Sequence, residues 1–148
     1  MKKVFAVIAA IVFTASAWAG PVAGPSVSEK AIAAFEKEFK HATNANWSLK
    51  EDVSIVTFQL NNQKVRAWFS SDGNLEALQR DINAGQMTLL SAKTVTELAT
   101  EQTVLSISEL SENGELYYVV KAESKLFKNT YKVTVDGNRT KMDRKKKK

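Results

Sequence analysis

The tripeptide Asp-Gly-Asn occurs twice, at 72–74 and at 136–138, each time at the end of a run of alternating apolar and polar residues. Asp-Gly is a strong hairpin signal, because glycine enters positive φ without steric penalty. Upstream of each copy lies a helical pattern. Ser28-Glu29-Lys30-Ala31-Ile32-Ala33-Ala34-Phe35 aligns with Ser91-Ala92-Lys93-Thr94-Val95-Thr96-Glu97-Leu98 at nearly the spacing that separates the two turns. Either match alone is common. Both together, in the same order, point to an internal repeat. The expected fold is α+β: two tandem α-β4 repeats, each a helix packed on an antiparallel meander.

Within the first repeat, Ser26 and Glu29 have the spacing of a capping box, and Ile32, Phe35 and Phe39 form one stripe of a helix over about 27–40. The period then changes to two. Val56, Phe58 and Leu60 alternate with Thr57 and Gln59. Asn61-Asn62-Gln63 reads as a turn, and Val65, Ala67 and Phe69 share the next inward face. The second repeat follows with a helix over Leu89 to Glu101, then strands around the Asn113-Gly114 turn and toward Asp136-Gly137. Trp47, entering the first strand, is expected in the core beneath the helix.

The N-terminus reads as a cleavable export signal. Met1-Lys2-Lys3 precedes an apolar run from Val4 to Phe13, and Ala17-Trp18-Ala19 fits a small-residue cleavage site. The run is shorter than the roughly 20 residues needed to span a bilayer. The expected division is therefore 1–19 signal peptide, 20–25 flexible lead-in, 26–82 first repeat, 83–143 second repeat and 144–148 basic tail. With no cysteine in the chain, neither disulfides nor a lipid anchor on cysteine are available, and stability must come from burial. The expected location is periplasmic or secreted.

Charge is unevenly placed. The formal net charge of +5 includes Lys2 and Lys3, and Arg144 to Lys148 are all basic, so the remainder is slightly acidic. The tail is expected to be solvated and disordered, with weak contact to an anionic surface as its sharper use. Without a basic patch inside the repeats, nucleic acid is not an expected partner.

Nothing in the sequence has the spacing of an active site. There is one histidine, His41, and there is no glycine-rich phosphate loop. No catalytic residue, metal ligand or cofactor is expected, and the chain is not expected to be an enzyme. A hydrolase would need two of the scattered carboxylates to converge in a cleft. The alternation is more informative. With Val65, Ala67 and Phe69 inward, Arg66 and Trp68 point to the other face. With Leu116, Tyr118, Val120 and Ala122 inward, Tyr117, Val119 and Lys121 also point outward, as does Lys132. Arg66, Trp68, Tyr117, Lys121 and Lys132 are thus the candidate binding residues, because Trp, Tyr and Arg dominate protein interfaces. Cross-strand packing without any partner accounts for the same residues equally well.

Ala34, Phe35 and Phe39, then Ala45-Asn46-Trp47, Val56, Phe58, Leu60 and Asn61, Ala67-Trp68-Phe69 and Asp72 to Leu75 together resemble the small periplasmic PepSY-like proteins of Bacteroidetes. Their fold is similar to that of the β-lactamase inhibitor protein. The resemblance runs from about Ser26 to Met142. It departs at Lys40, where the family often has Pro, and at Leu89-Leu90, where it often has Leu-Pro. It implies two helices behind a curved antiparallel sheet, no catalysis, and an inhibitory or regulatory role toward an envelope protein or peptide bound on the open sheet face. The alternative is a structural, envelope-surface protein acting through its basic C-terminal tail.

Overall fold

The computed structural model describes residues 26–148. The expected signal peptide, 1–19, and the expected lead-in, 20–25, lie outside the described residues. Helix α1, Glu29–Glu38, starts at Ser28, not at Ser26. The Ser28 hydroxyl does not cap its own helix. It donates to the Ser71 carbonyl at 2.7 Å, tying the helix to the turn that carries Asp72-Gly73. Four strands follow: β1 Thr43–Lys50, β2 Val53–Leu60, β3 Gln63–Phe69 and β4 Leu75–Ile82. A 3-10 turn at Ala84–Gln86 then leads into α2, Leu89–Glu101, and into β5 Thr103–Glu112, β6 Glu115–Glu123, β7 Phe127–Thr134 and β8 Arg139–Lys146.

All eight strands form one antiparallel sheet in chain order, each paired with its sequence neighbours. The turns explain the register. Asn61 and Asn62 both adopt positive φ, as do Asn113 and Gly114, which gives two-residue hairpins whose twist matches that of the strands. The two sets of strands are joined by β4–β5 pairing from Ala77↔Glu112 to Ile82↔Ile107.

Both helices pack on the same face. Under α1, Ala31 and Phe35 meet Val56, Phe58, Ala67 and Phe69, with Trp47 against the cluster. Phe35 is the hub: its ring centre is 4.9 Å from Phe58 and 5.4 Å from Trp47, both edge to face. Such pairs add about 1 kcal/mol each beyond their burial. Under α2, Val95 and Leu98 meet Ile107, Tyr118, Val120, Ala122, Tyr131 and Val133. The inward alternation therefore holds for β2, β3 and most of β6. Leu116 departs from it. It lies on the helix side, opposite Ser111, yet is 42% exposed.

Two contacts recur at corresponding places. The Thr88 hydroxyl caps α2 and donates to the Val135 carbonyl at 2.7 Å, as Ser28 does to Ser71. Gly73 packs on the Lys30 carbonyl and Gly137 on the Leu90 carbonyl, both at φ +84°. By these contacts Ser28 corresponds to Thr88, so the sequence match of Ser28 to Ser91 is about one helical turn out of phase. An amphipathic stripe nearly reproduces itself after one turn, and sequence periodicity alone does not fix that phase.

Residues 144–148 are not a detached tail. Arg144, Lys145 and Lys146 are the last rungs of β8, paired with Asn129, Lys128 and Phe127. The Lys147 amide closes onto the Leu126 carbonyl. Lysine is a poor strand former, but β7 supplies a complete ladder, and lysines suit a sheet edge because they discourage further pairing.

Candidate functional site

The sheet face opposite the helices is built by the other half of the alternation. Register aligns Ile55, Trp68, Ala77 and Glu112 in one row, and Thr57, Arg66, Gln79, Leu110 and Tyr117 in the next. Val119 and Lys132 face each other further along, as do Lys121 and Thr130. The five candidate residues therefore do share one face.

Their exposure differs from the expectation. Trp68 is only 2% exposed and Tyr117 only 8%, so neither ring is offered to solvent. Ile55 and Ala77 flank Trp68 on the adjoining strands, and the Arg66 guanidinium lies 5.8 Å from its ring centre. The indole N–H is buried without a hydrogen-bond partner. Tyr117 is held at both its ends. Its hydroxyl donates to Glu112 at 2.7 Å, and the Lys132 ammonium sits 4.1 Å from its ring centre. Lys132 also pairs with Glu115 at 3.7 Å. Lys121 is exposed.

The electrostatics follow from this packing. Burial first, then the hydrogen bond to Glu112, push the Tyr117 phenol well above its ordinary value. Burial lowers the Arg66 guanidinium, partly opposed by Asp81. Arg66 also donates through Nε to the Thr57 hydroxyl at 3.4 Å. Asp81 in turn accepts from the Ser108 hydroxyl at 2.7 Å. The face thus has aromatic rings at its floor and cations above or beside them.

A second feature lies on the helix side, where sequence reading placed no candidate. Phe39, Leu60, Val65 and Leu78 line a groove of about 270 Å³ that also contains Arg80 and Glu109. Arg80 donates to Glu109 at 2.6 Å, and that hydrogen bond holds the guanidinium above its ordinary value. The signal was present: Arg80 falls on the inward alternation of β4 between Leu78 and Ile82, where a charge needs a partner. Among the described residues, no three His, Asp or Glu side chains are grouped to hold a metal. His41 is exposed in the turn after α1.

No protein-family model and no curated protein matches the chain. Solved structures do. A DUF2874 family protein from Bacteroides uniformis superposes with a TM-score of 0.72 at 14% identity, over 82% of this chain and 90% of that one. A BLIP-like protein from Bacteroides fragilis gives 0.71 at 17% identity, over 84% and 89%. A Bacteroides eggerthii protein described as periplasmic gives 0.72 at 13%, over 82% and 90%. At these identities the likeness is one of fold, and the fold is BLIP-like.

Proposed function

We propose that this chain is an exported, non-catalytic module of the periplasm that binds a protein or peptide on the sheet face opposite its helices, in the inhibitory or regulatory manner of PepSY-like proteins. The observation that carries the reading is the arrangement of Arg66 beside Trp68 and of Lys132 over Tyr117, on a face that neither helix covers. Aromatic floors with basic side chains held against them are the usual makings of an interface centre. Because both rings are buried, the contact itself falls to Lys121, Lys132 and the polar residues between them, with Trp68 and Tyr117 setting their positions. The BLIP-like fold and the periplasmic description of one structural neighbour agree with this reading.

The same proposal includes descent from a duplicated α-β4 unit. The paired hydroxyl-to-carbonyl ties of Ser28 and Thr88, and the paired glycine contacts of Gly73 and Gly137, support it.

Site-specific photo-crosslinking in intact cells tests the binding face. Probes at Lys121 and Thr130 are expected to capture a discrete adduct that a probe at Glu36, on the outer side of α1, does not. Identical adduct patterns from all three positions would overturn the reading.

A further inference from the structure

One end of the sheet, made by the β6–β7 hairpin and the end of β8, has a different character from the open face. Lys125, Lys128, Arg144, Lys146 and Lys148 are exposed there, and none of them has an ion pair among the described residues. Two of the acids nearby are already engaged: Glu123 pairs with Lys147 at 2.9 Å and Asp143 with Lys145 at 3.6 Å, while Glu101 lines the same groove as Lys125 and Lys147. Lys128 and Lys145 are direct cross-strand partners. Like charges in that relation destabilise a sheet; Glu123 lies opposite Lys128 on β6 and Asp143 pairs with Lys145, and the cations around them are open to an anion.

The same end exposes apolar side chains. Leu126, at the hairpin tip, is 57% exposed between Lys125 and Phe127, and the Lys147 amide bonds its carbonyl. The Arg144 guanidinium lies 3.6 Å from the ring centre of Phe127, the residue after Leu126. Leu105, in the register shift between Val104 and Ser106 on β5, is 51% exposed toward the same end.

We infer that this end of the sheet, with Leu126 at its tip, docks on the surface of an anionic lipid bilayer. Cations alone would serve any polyanion. A projecting leucine ringed by lysines fits a bilayer better, because the charges reach headgroup phosphates while the side chain enters the acyl boundary. No helix of the described residues is long and apolar enough to cross a membrane, and this contact requires none. It centres on the hairpin tip, with Lys128 sharing the open face of Thr130 and Lys121, and it does not depend on the binding role proposed for that face.

Protein purified from cells expressing the full-length sequence is to be sedimented with vesicles of phosphatidylglycerol and phosphatidylcholine, or of phosphatidylcholine alone. Preference for the anionic vesicles, weakened by salt, is expected. The triple variant Lys125→Gln/Lys128→Gln/Lys146→Gln is expected to lower partitioning by about tenfold or more. Lys37→Gln/Lys40→Gln/Lys50→Gln, which removes equal charge around α1 and β1, is expected to change it by less than about threefold. Leu126→Ser is expected to reduce vesicle binding about fivefold while leaving retention on a soluble polyphosphate unchanged. Equal losses from the two triple variants would overturn the assignment. So would a Leu126→Ser variant that binds vesicles like the parent, which would indicate a soluble polyanion as the ligand instead.

Discussion

A methyl group placed on Gly73 would sit 2.7 Å from the Lys30 carbonyl oxygen, closer than a real Cβ comes to any neighbour. The turn between β3 and β4 therefore touches the backbone of α1 directly. Gly137 stands 2.8 Å from the Leu90 carbonyl by the same measure, while Gly114 has nothing within 4 Å.

These three glycines form a graded test, since all have positive φ. Gly114→Ala bears only the left-handed backbone penalty, about 1 kcal/mol. Gly73→Ala and Gly137→Ala add a backbone clash and should each cost about 2 kcal/mol or more. Urea midpoints of the three variants check the order; equal shifts would show that the helix contact is relieved at no cost.

Trp68 should behave as a core residue. Trp68→Ala is expected to destabilise by about 3–5 kcal/mol. Trp68→Phe should cost much less, because it also removes a buried N–H that has no partner. Chemical denaturation of both variants measures the difference.

Tyr117 should make stability depend on alkaline pH. Its folded-state pKa lies above the unfolded value, which is about 10. The native state then keeps a proton that the unfolded chain releases, so this contribution is intact below pH of about 10 and declines as pH rises past it. The denaturation midpoint of Tyr117→Phe should fall less steeply than that of the parent between about pH 9 and 11, since its lysines titrate in common with the parent's.

Ser91 and Thr88 hold α2 to the β7 end. The Ser91 hydroxyl is fully buried and donates to the Thr134 carbonyl at 2.8 Å. Ser91→Ala should cost about 1–2 kcal/mol and Thr88→Ala about 1 kcal/mol. Because the two hydroxyls are 2.6 Å apart, the double variant should differ from the sum of the single ones, which a double-mutant cycle will show.

Strand alternation carried most of the legible information. Val65, Ala67 and Phe69 pointed inward as their period requires, and that placed Arg66 and Trp68 on the opposite face. Period alone could not tell whether that face is wet. Trp68 is hidden between Ile55 and Ala77, which register brings from the neighbouring strands, with Arg66 two residues away on its own strand. Arg144 to Lys146 misled for another reason: a run of cations reads as solvated, yet the open edge of β7 gives such a run a backbone ladder while its side chains stay in water. The Arg80–Glu109 pair depended on β4 meeting β5, a contact between the two halves that neither half encodes locally.

The unbroken meander also bears on how the chain reaches its native state. Six of the seven strand pairings join neighbours across a short turn, so the loop-closure entropy of those steps is small, while β4–β5 closes over the α2 segment. Formation can advance as a zipper from whichever terminus is available first, with α1 docking on β1–β4 before β5 has been released from a ribosome or a translocation channel. A half-emerged chain then leaves β4 as its temporary edge. There, the Arg80 guanidinium waits for Glu109, making that ion pair a marker for the moment at which the two halves become one sheet.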